Sequence, residues 1–256
     1  MTGEDEQLFR RAATLIILRH RVDSAPDILM AERAGSMAFA GGALVFPGGA
    51  VDAADEELAR SIVGQQDEED AAARVAAIRE TLEEAGLAVG FDRPCDPAMT
   101  QKMRNALLMG ISFGDMLKDF GVAINPDQLK PFARWFPQHR MRRVFDTRFY
   151  ITDIRDDAAH ISPDMSETQR VFWAKAKEVL AMVDKGHAKI IFPTRRNLER
   201  IAQFTNVAEA YRHVTQYPAI TISPWQEMRD GVEHLCIPEA AGYPVTSEPM
   251  TEVLRG

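Results

Sequence analysis

The run from Arg79 to Gly86, RETLEEAG with Leu87 following, limits what this chain can become more than any other segment. Val75, Ile78 and Leu82 recur at spacings of three and four, which predicts a helix whose apolar stripe buries against a sheet. Glu80, Glu83 and Glu84 then share a face, because residues three and four apart are neighbours on successive helical turns. Carboxylates so placed repel one another; they make poor packing and a good cradle for a hard divalent cation with oxygen ligands. Asp67, Glu68, Glu69 and Asp70 precede the stripe, where acids favour the positive end of a helix dipole, and Gly86 follows it as a left-handed cap. Arg79 stands beside the acids and can pair with one of them, holding it in register. A solvated acidic face is the other reading of this stretch taken alone.

Upstream, GALVFPGGAVD has an apolar run from Ala43 to Phe46 that stops at Pro47, Gly48 and Gly49. A strand ending in Pro-Gly-Gly lets backbone amides and carbonyls approach a ligand with no side chain in the way. By itself the tripeptide is a turn. Followed by the glutamate helix, it marks a site.

These two segments together resemble the Nudix hydrolase family, whose signature is a glycine, a glutamate, Arg-Glu, an aliphatic residue, Glu-Glu and a final glycine. Arg79, Glu80, Glu83, Glu84 and Gly86 match its second half, and Gly49 supplies the opening glycine. The first half departs: the signature glutamate, eight residues before Arg79, falls on Ala71. The stretch from Gly49 to Arg79 is also longer than the signature. The extra residues, roughly DAADEELARSIVGQQDEED, either loop out or extend the helix, and Asp70 or a residue near Asp52 is the expected substitute partner for Arg79. The resemblance implies an α/β fold, a Nudix-type α/β/α sandwich with a mixed sheet plus a helical insertion. It implies Mg²⁺ or Mn²⁺ as cofactor, held by Glu80, Glu83, Glu84 and the Gly49 carbonyl, with Arg79 and the three glutamates as the catalytic set.

The segment LMAERAGSMAFAGGALVFPGG is similar to the one preceding the signature in coenzyme A diphosphohydrolases, with Leu29, Arg33, Ala34, Gly42 and FPGG at the expected spacings. Ala38 stands where that pattern often has arginine. The insertion and the segment FARWFPQHRMRRVFDTRFYI look like the peroxisomal-type coenzyme A diphosphatase branch and its bacterial relatives. The likeness runs in patches from about Thr14 to Tyr243.

With 256 residues, 46% hydrophobic and 27% charged, the chain can bury a substantial core in one domain with additions or in two small ones. The expected division is a Nudix hydrolase domain over 10–205, with a helical insertion at about 96–135, and an extension over 206–256 packing on the same domain. A net charge of −8 argues against nonspecific nucleic-acid binding, and no apolar run is long enough to span a membrane. The N-terminus has acids at its head and no small-residue cleavage site, VLRG at the C-terminus is not the peroxisomal tripeptide, and Cys95 and Cys236 have no paired spacing. A reducing cytoplasm fits, and a homodimer is an open expectation.

Expected strands are Thr14–Leu18, Ile28–Ala31, Ala43–Phe46 and Thr147–Ile154. Leucines and methionines at helical spacing between Met99 and Leu117 predict an inserted helical pair packed over the sheet, its methionines in the core or lining the substrate cleft. Thr194 is expected to cap a helix from Arg195 to Phe204. ITISPWQ and HLCIPEAAGYP read as a peripheral extension. In many Nudix proteins an acid in the loop before a tryptophan and helix reaches the metal site; Glu167 matches that place, and an exposed loop glutamate is the alternative.

A diphosphate brings negative charge to a site full of carboxylates, so arginines matter. Arg33, Arg142 and Arg143 are the candidates for substrate contact, with Arg134 and Arg148 nearby; surface arginines balancing Asp146 and Asp153 are the other reading. Crowding predicts carboxylate pKa values raised in the absence of metal, and metal binding that strengthens as pH rises. The expected function is hydrolysis of a diphosphate linkage in a small-molecule nucleoside diphosphate derivative, coenzyme A or acyl-CoA first, with Glu80 or Glu167 as base. ADP-ribose or a dinucleotide is the alternative substrate, and a Nudix-fold binding module without turnover the alternative class.

Overall fold

The computed structural model describes residues 8–37, 40–63, 67–137, 143–155 and 160–253; Ala38 and Arg142 lie outside them. A mixed sheet forms the centre. Strand β1 (Leu8–Arg19) pairs in parallel with β6 (Arg143–Ile154) along its whole length and antiparallel with β2 (Asp27–Arg33) and β4 (Gly48–Ala50). β2 is flanked by β3 (Leu44–Val45) and β7 (Thr168–Ala174), both antiparallel to it. On the far side β5 (Lys130–Trp135) pairs antiparallel with β6, and β8 (Thr221–Ile222) runs parallel to β5.

Alternation along β1 divides the core. Leu15 and Ile17 face one side with Leu29 of β2 and Tyr150 of β6, while Ile16 and Leu18 face the other with Ile28, Met30 and Ile151. The first face is covered by α1 (Ala53–Val63), α2 (Glu68–Ala85), α3 (Pro97–Leu108) and α4 (Phe113–Phe120). The second is covered by α5 (Ala176–Asp184), α6 (Phe192–Ile201) and α7 (Val207–Gln216). A sheet sealed by helices on both faces is the α/β/α sandwich expected.

Helix α2 is built as its sequence dictates. Asp67 caps its start, accepting from the Asp70 N–H, and Gly86 ends it at φ 63°. Val75, Ile78 and Leu82 are fully buried.

Several expectations are corrected. Most of the insertion between Gly49 and Arg79 folds as α1, a separate helix lying on α2, and its last residues, Glu68 to Asp70, open α2. The strand before Pro-Gly-Gly shortens to β3, which stops ahead of Pro47 as expected, and Gly48–Ala50 then rejoins the sheet as β4. The helical pair α3 and α4 forms, with Met103 and Met116 buried in the core on the first face of the sheet and its closest packing on α1 and α2. The stretch 96–135 also contains β5, a full member of the sheet, hidden in the sequence by Pro131 at a register shift. Helix α6 begins at Phe192, not Arg195; Pro193 in its first turn sets the helical φ early, leaving Thr194 inside and buried. Beyond α7, Ile237, Ala241 and Tyr243 enter the second core, next to a three-stranded sheet of β9 (Trp225–Arg229), β10 (Val232–Cys236) and β11 (Ser247–Pro249). A last short helix, α8, spans Met250–Val253. Among the described residues no helix is long and apolar enough to cross a membrane, and both cysteines are free.

Candidate active site

The site forms where α2 passes behind β4. Burying Val75, Ile78 and Leu82 against the sheet turns Glu80 and Glu84 toward the glycines that follow Pro47. The Gly48 N–H donates to Glu84 Oε2 at 3.0 Å. Gly49 presses closer: a Cβ there would stand 2.2 Å from Glu80 Oε1, so only glycine allows this approach.

Arg79 organises the acids. Its Nη1 donates to Glu80 Oε1 at 3.0 Å and to Glu83 Oε2 at 3.1 Å, and its Nη2 donates to the Ala50 carbonyl at 3.1 Å. Its remaining donors meet Asp55, with Nε to Oδ1 at 2.9 Å and Nη2 to Oδ2 at 2.8 Å, a two-pronged pair inside the protein. Asp55 therefore occupies the role left open by Ala71, which is packed in the core. It can do so because α1 presents it in its first turn, where Asp55 Oδ2 also accepts the Asp52 N–H at 2.9 Å. Asp70 is engaged elsewhere, with Arg74, Arg148 and the Tyr150 hydroxyl.

The electrostatics follow the crowding. Burial, followed by the charge of Glu80, pushes Glu84 up to about 8, against the pull of the Gly48 N–H and Arg33. Burial also lifts Glu80 to about 7, with Glu83 adding and Arg79 opposing. Glu83 is raised by burial as well, again against Arg79. For Arg79, burial works against its charge, but Asp55, Glu80 and Glu83 outweigh it and raise its pKa. One guanidinium thus serves Asp55, Glu80 and Glu83, with Asp52 Oδ2 a further 3.5 Å from its Nη2, and among the described residues Glu84 has the Gly48 N–H and the more remote charge of Arg33. Among the described residues no three His, Cys, Asp or Glu side chains stand as a finished ligand cluster. The donors present nevertheless suit a hard cation: oxygen only, buried, and short of positive charge.

Arg33 ends β2 half-buried, its charge felt at Glu84, and its Nε is buried without a hydrogen-bond partner among the described residues. Arg143 opens β6 opposite Leu8, where only its backbone is described. Arg134 binds Asp146 through Nε at 2.8 Å and Nη2 at 2.5 Å, and Arg148 binds Glu69 and Asp70. Arg134 thus follows the alternative of an arginine balancing Asp146, whereas Arg148 pairs with the start of α2 rather than with Asp146 or Asp153. Glu167 is exposed just before β7; its carbonyl accepts the Ala34 N–H at 2.7 Å, which ties this loop to the Arg33 segment. The loop acid whose charge reaches Glu84 is Asp164, a residue not anticipated from the sequence. Its signal was Asp-x-Ser-Glu-Thr: Asp164 accepts the N–H groups of Ser166, Glu167 and Thr168, shaping the turn.

No protein-family model matches the chain. Among solved structures it is similar to a Nudix hydrolase from Alicyclobacillus acidocaldarius, with 26% identity, 81% of this chain and 97% of that chain covered, and a TM-score of 0.68. A MutT protein from Methanosarcina mazei Go1 matches at 12% identity, with 77% and 94% covered and a TM-score of 0.44. The Nudix domain of Shewanella oneidensis NrtR, complexed with ADP ribose, matches at 12% identity, with 78% and 90% covered and a TM-score of 0.43.

Proposed function

We propose that this chain, which has the Nudix hydrolase fold, hydrolyses the diphosphate linkage of nucleoside diphosphate derivatives with the help of Mg²⁺ or Mn²⁺. The observation that carries the reading is the set of three glutamates at the Gly48–Gly49 turn: Glu80 and Glu83 held by Arg79, which Asp55 anchors, and Glu84 held by the Gly48 N–H. Glu80, Glu83, Glu84 and the Gly49 carbonyl would hold the cation. When bound, it would neutralise charge on the diphosphate and lower the pKa of an attacking water.

The chain's own residues do the rest. Arg79 holds the side chains of Glu80 and Glu83 in register, itself fixed by Asp55. Glu80, whose carboxylate Arg79 holds beside Gly49, would take a proton from the attacking water. Asp164 and Glu167 belong to one loop, and either would be the loop acid near the cation, Asp164 being the one whose negative charge adds to the raised pKa of Glu84. Arg33 carries a buried, unused donor beside this anionic site, a natural contact for a phosphate oxygen; Arg142 and Arg143 are further candidates for the distal part of the substrate.

Coenzyme A or an acyl derivative is the proposed substrate, supported by the Leu29–Gly49 segment and by the placement of Arg33 within it. Ala38, lacking the arginine of that pattern, favours ADP-ribose or a dinucleotide as the second reading. A panel of these diphosphates assayed with Mg²⁺ and Mn²⁺, alongside Glu84→Gln, tests both levels. Glu84→Gln should lower turnover by at least about a hundredfold while the fold is retained. Undiminished turnover would refute the site. Cleavage of ADP-ribose with coenzyme A left intact would refute the substrate alone, and metal binding without any cleavage would favour a binding module.

A further inference from the structure

The last turn of α2 is closed from outside the helix. An α-helix leaves its final carbonyls without intrahelical partners, and here all four are taken. The Gly86 N–H donates to the Leu82 carbonyl at 3.0 Å. Arg104 of α3 donates from Nε to the Glu83 carbonyl at 2.8 Å and from Nη2 to the Glu84 carbonyl at 3.2 Å. Ser162, in the loop before β7, donates its N–H to the Ala85 carbonyl at 2.9 Å, and its Oγ accepts from Arg104 Nη1 at 2.8 Å. Arg104 is only 3% exposed, an unusual position for an arginine to which no carboxylate is bonded among the described residues. Gly86 leaves room for it, since a Cβ there would stand 3.1 Å from both Arg104 Nη1 and Ser162 Oγ.

The two carbonyls that Arg104 takes belong to Glu83 and Glu84, whose carboxylates stand in the site. A cation at the negative end of a helix is favourable in itself, but one N–H donor would suffice for that. The fork of the guanidinium spans consecutive carbonyls and adds a third bond to a separate loop, which fixes the turn against fraying and rotation.

We propose that Arg104, assisted by Ser162, is a positioning residue that presets the Glu83 and Glu84 carboxylates for a divalent cation. The inserted helix α3 thereby acts on the metal site from behind, without touching metal or substrate. The proposal rests on reading these glutamates as metal ligands.

Mn²⁺ binding to the full-length protein, followed by the electron paramagnetic resonance signal of the free ion, tests it together with the thermal midpoint. Arg104→Lys keeps the charge but cannot span both carbonyls and Ser162; its Mn²⁺ dissociation constant should rise by about tenfold. Ser162→Ala should move it the same way by less, and serves if Arg104→Lys does not fold. Met103→Ala, beside Arg104 on α3 and fully buried, should lower the thermal midpoint and leave Mn²⁺ affinity unchanged. Wild-type affinity in Arg104→Lys and Ser162→Ala overturns the clamp while the metal site stands. So does a loss in Met103→Ala as large as in Arg104→Lys. A wild-type protein that binds no Mn²⁺ overturns the metal site and the clamp with it.

Discussion

Replacing Asp55 by asparagine keeps the shape of the side chain and removes its charge from a pair that excludes solvent: Asp55's side chain is 0% exposed and Arg79's 10%. Breaking a buried pair from one side costs about 3–5 kcal/mol, because the remaining charge stays buried. The asparagine amide would still accept one hydrogen bond, and Arg79 keeps Glu80 and Glu83 at 3.0 and 3.1 Å, so the low end, about 3 kcal/mol, applies. At about 2–4 °C per kcal/mol for a domain of this size, the thermal midpoint of the metal-free protein should fall by about 6–12 °C. Arg79 should also lean further onto Glu80 and Glu83, so more Mg²⁺ should be needed for half-maximal hydrolysis. The assay is thermal unfolding with and without metal, followed by a double-mutant cycle with Arg79→Gln. A midpoint within about 2 °C of the wild type, or a cycle with no coupling between the two positions, would refute Asp55 as the anchor of Arg79.

The raised pKa values of Glu80 and Glu84 give a signed pH dependence. Above the ordinary carboxylate value of 4.5 the unfolded chain has released protons that the native form still holds, so the metal-free protein should lose stability as pH rises toward 8 and then level off. Mn²⁺ affinity should climb over the same range, about tenfold per pH unit for each proton displaced, and a flat titration would contradict the assignment. Gly49→Ala should weaken Mn²⁺ binding about tenfold by driving its Cβ into Glu80; calorimetry showing wild-type affinity would rule out that approach. Asp164→Asn should move the midpoint of the pH dependence of Mn²⁺ binding downward by relieving Glu84, and Glu167→Gln should leave it in place. The reverse pattern would assign the loop acid to Glu167.

What was legible in the sequence was local. Val75, Ile78 and Leu82 lie within one helix that Gly86 caps, and Thr14–Leu18 lies within one strand, so their periodicity carries the structure directly. Asp55 was legible only as a neighbourhood, a residue near Asp52, because the choice between it and Asp70 depends on how α1 docks. β5 was masked by Pro131, whose ring breaks the ladder pattern that marks a strand. β7 has no counterpart among the expected strands, its alternation blurred by Arg170 over the Phe172 ring. Arg104 left one trace, an arginine on the stripe that also carries Thr100, Met103 and Leu107. Nothing in that stripe says which helix end it meets.

In the signature that this chain resembles, arginine and its acid sit on one short stretch of backbone. Here they are 24 residues apart on two helices. A fragment carrying α2 alone would hold every glutamate and still lack a competent site. Order at the carboxylates should then arrive with the docking of α1, so the folding of the insertion would set when the protein first becomes able to hold the proposed metal. Amide protection of α1 and the onset of Mn²⁺ binding should therefore appear together during refolding.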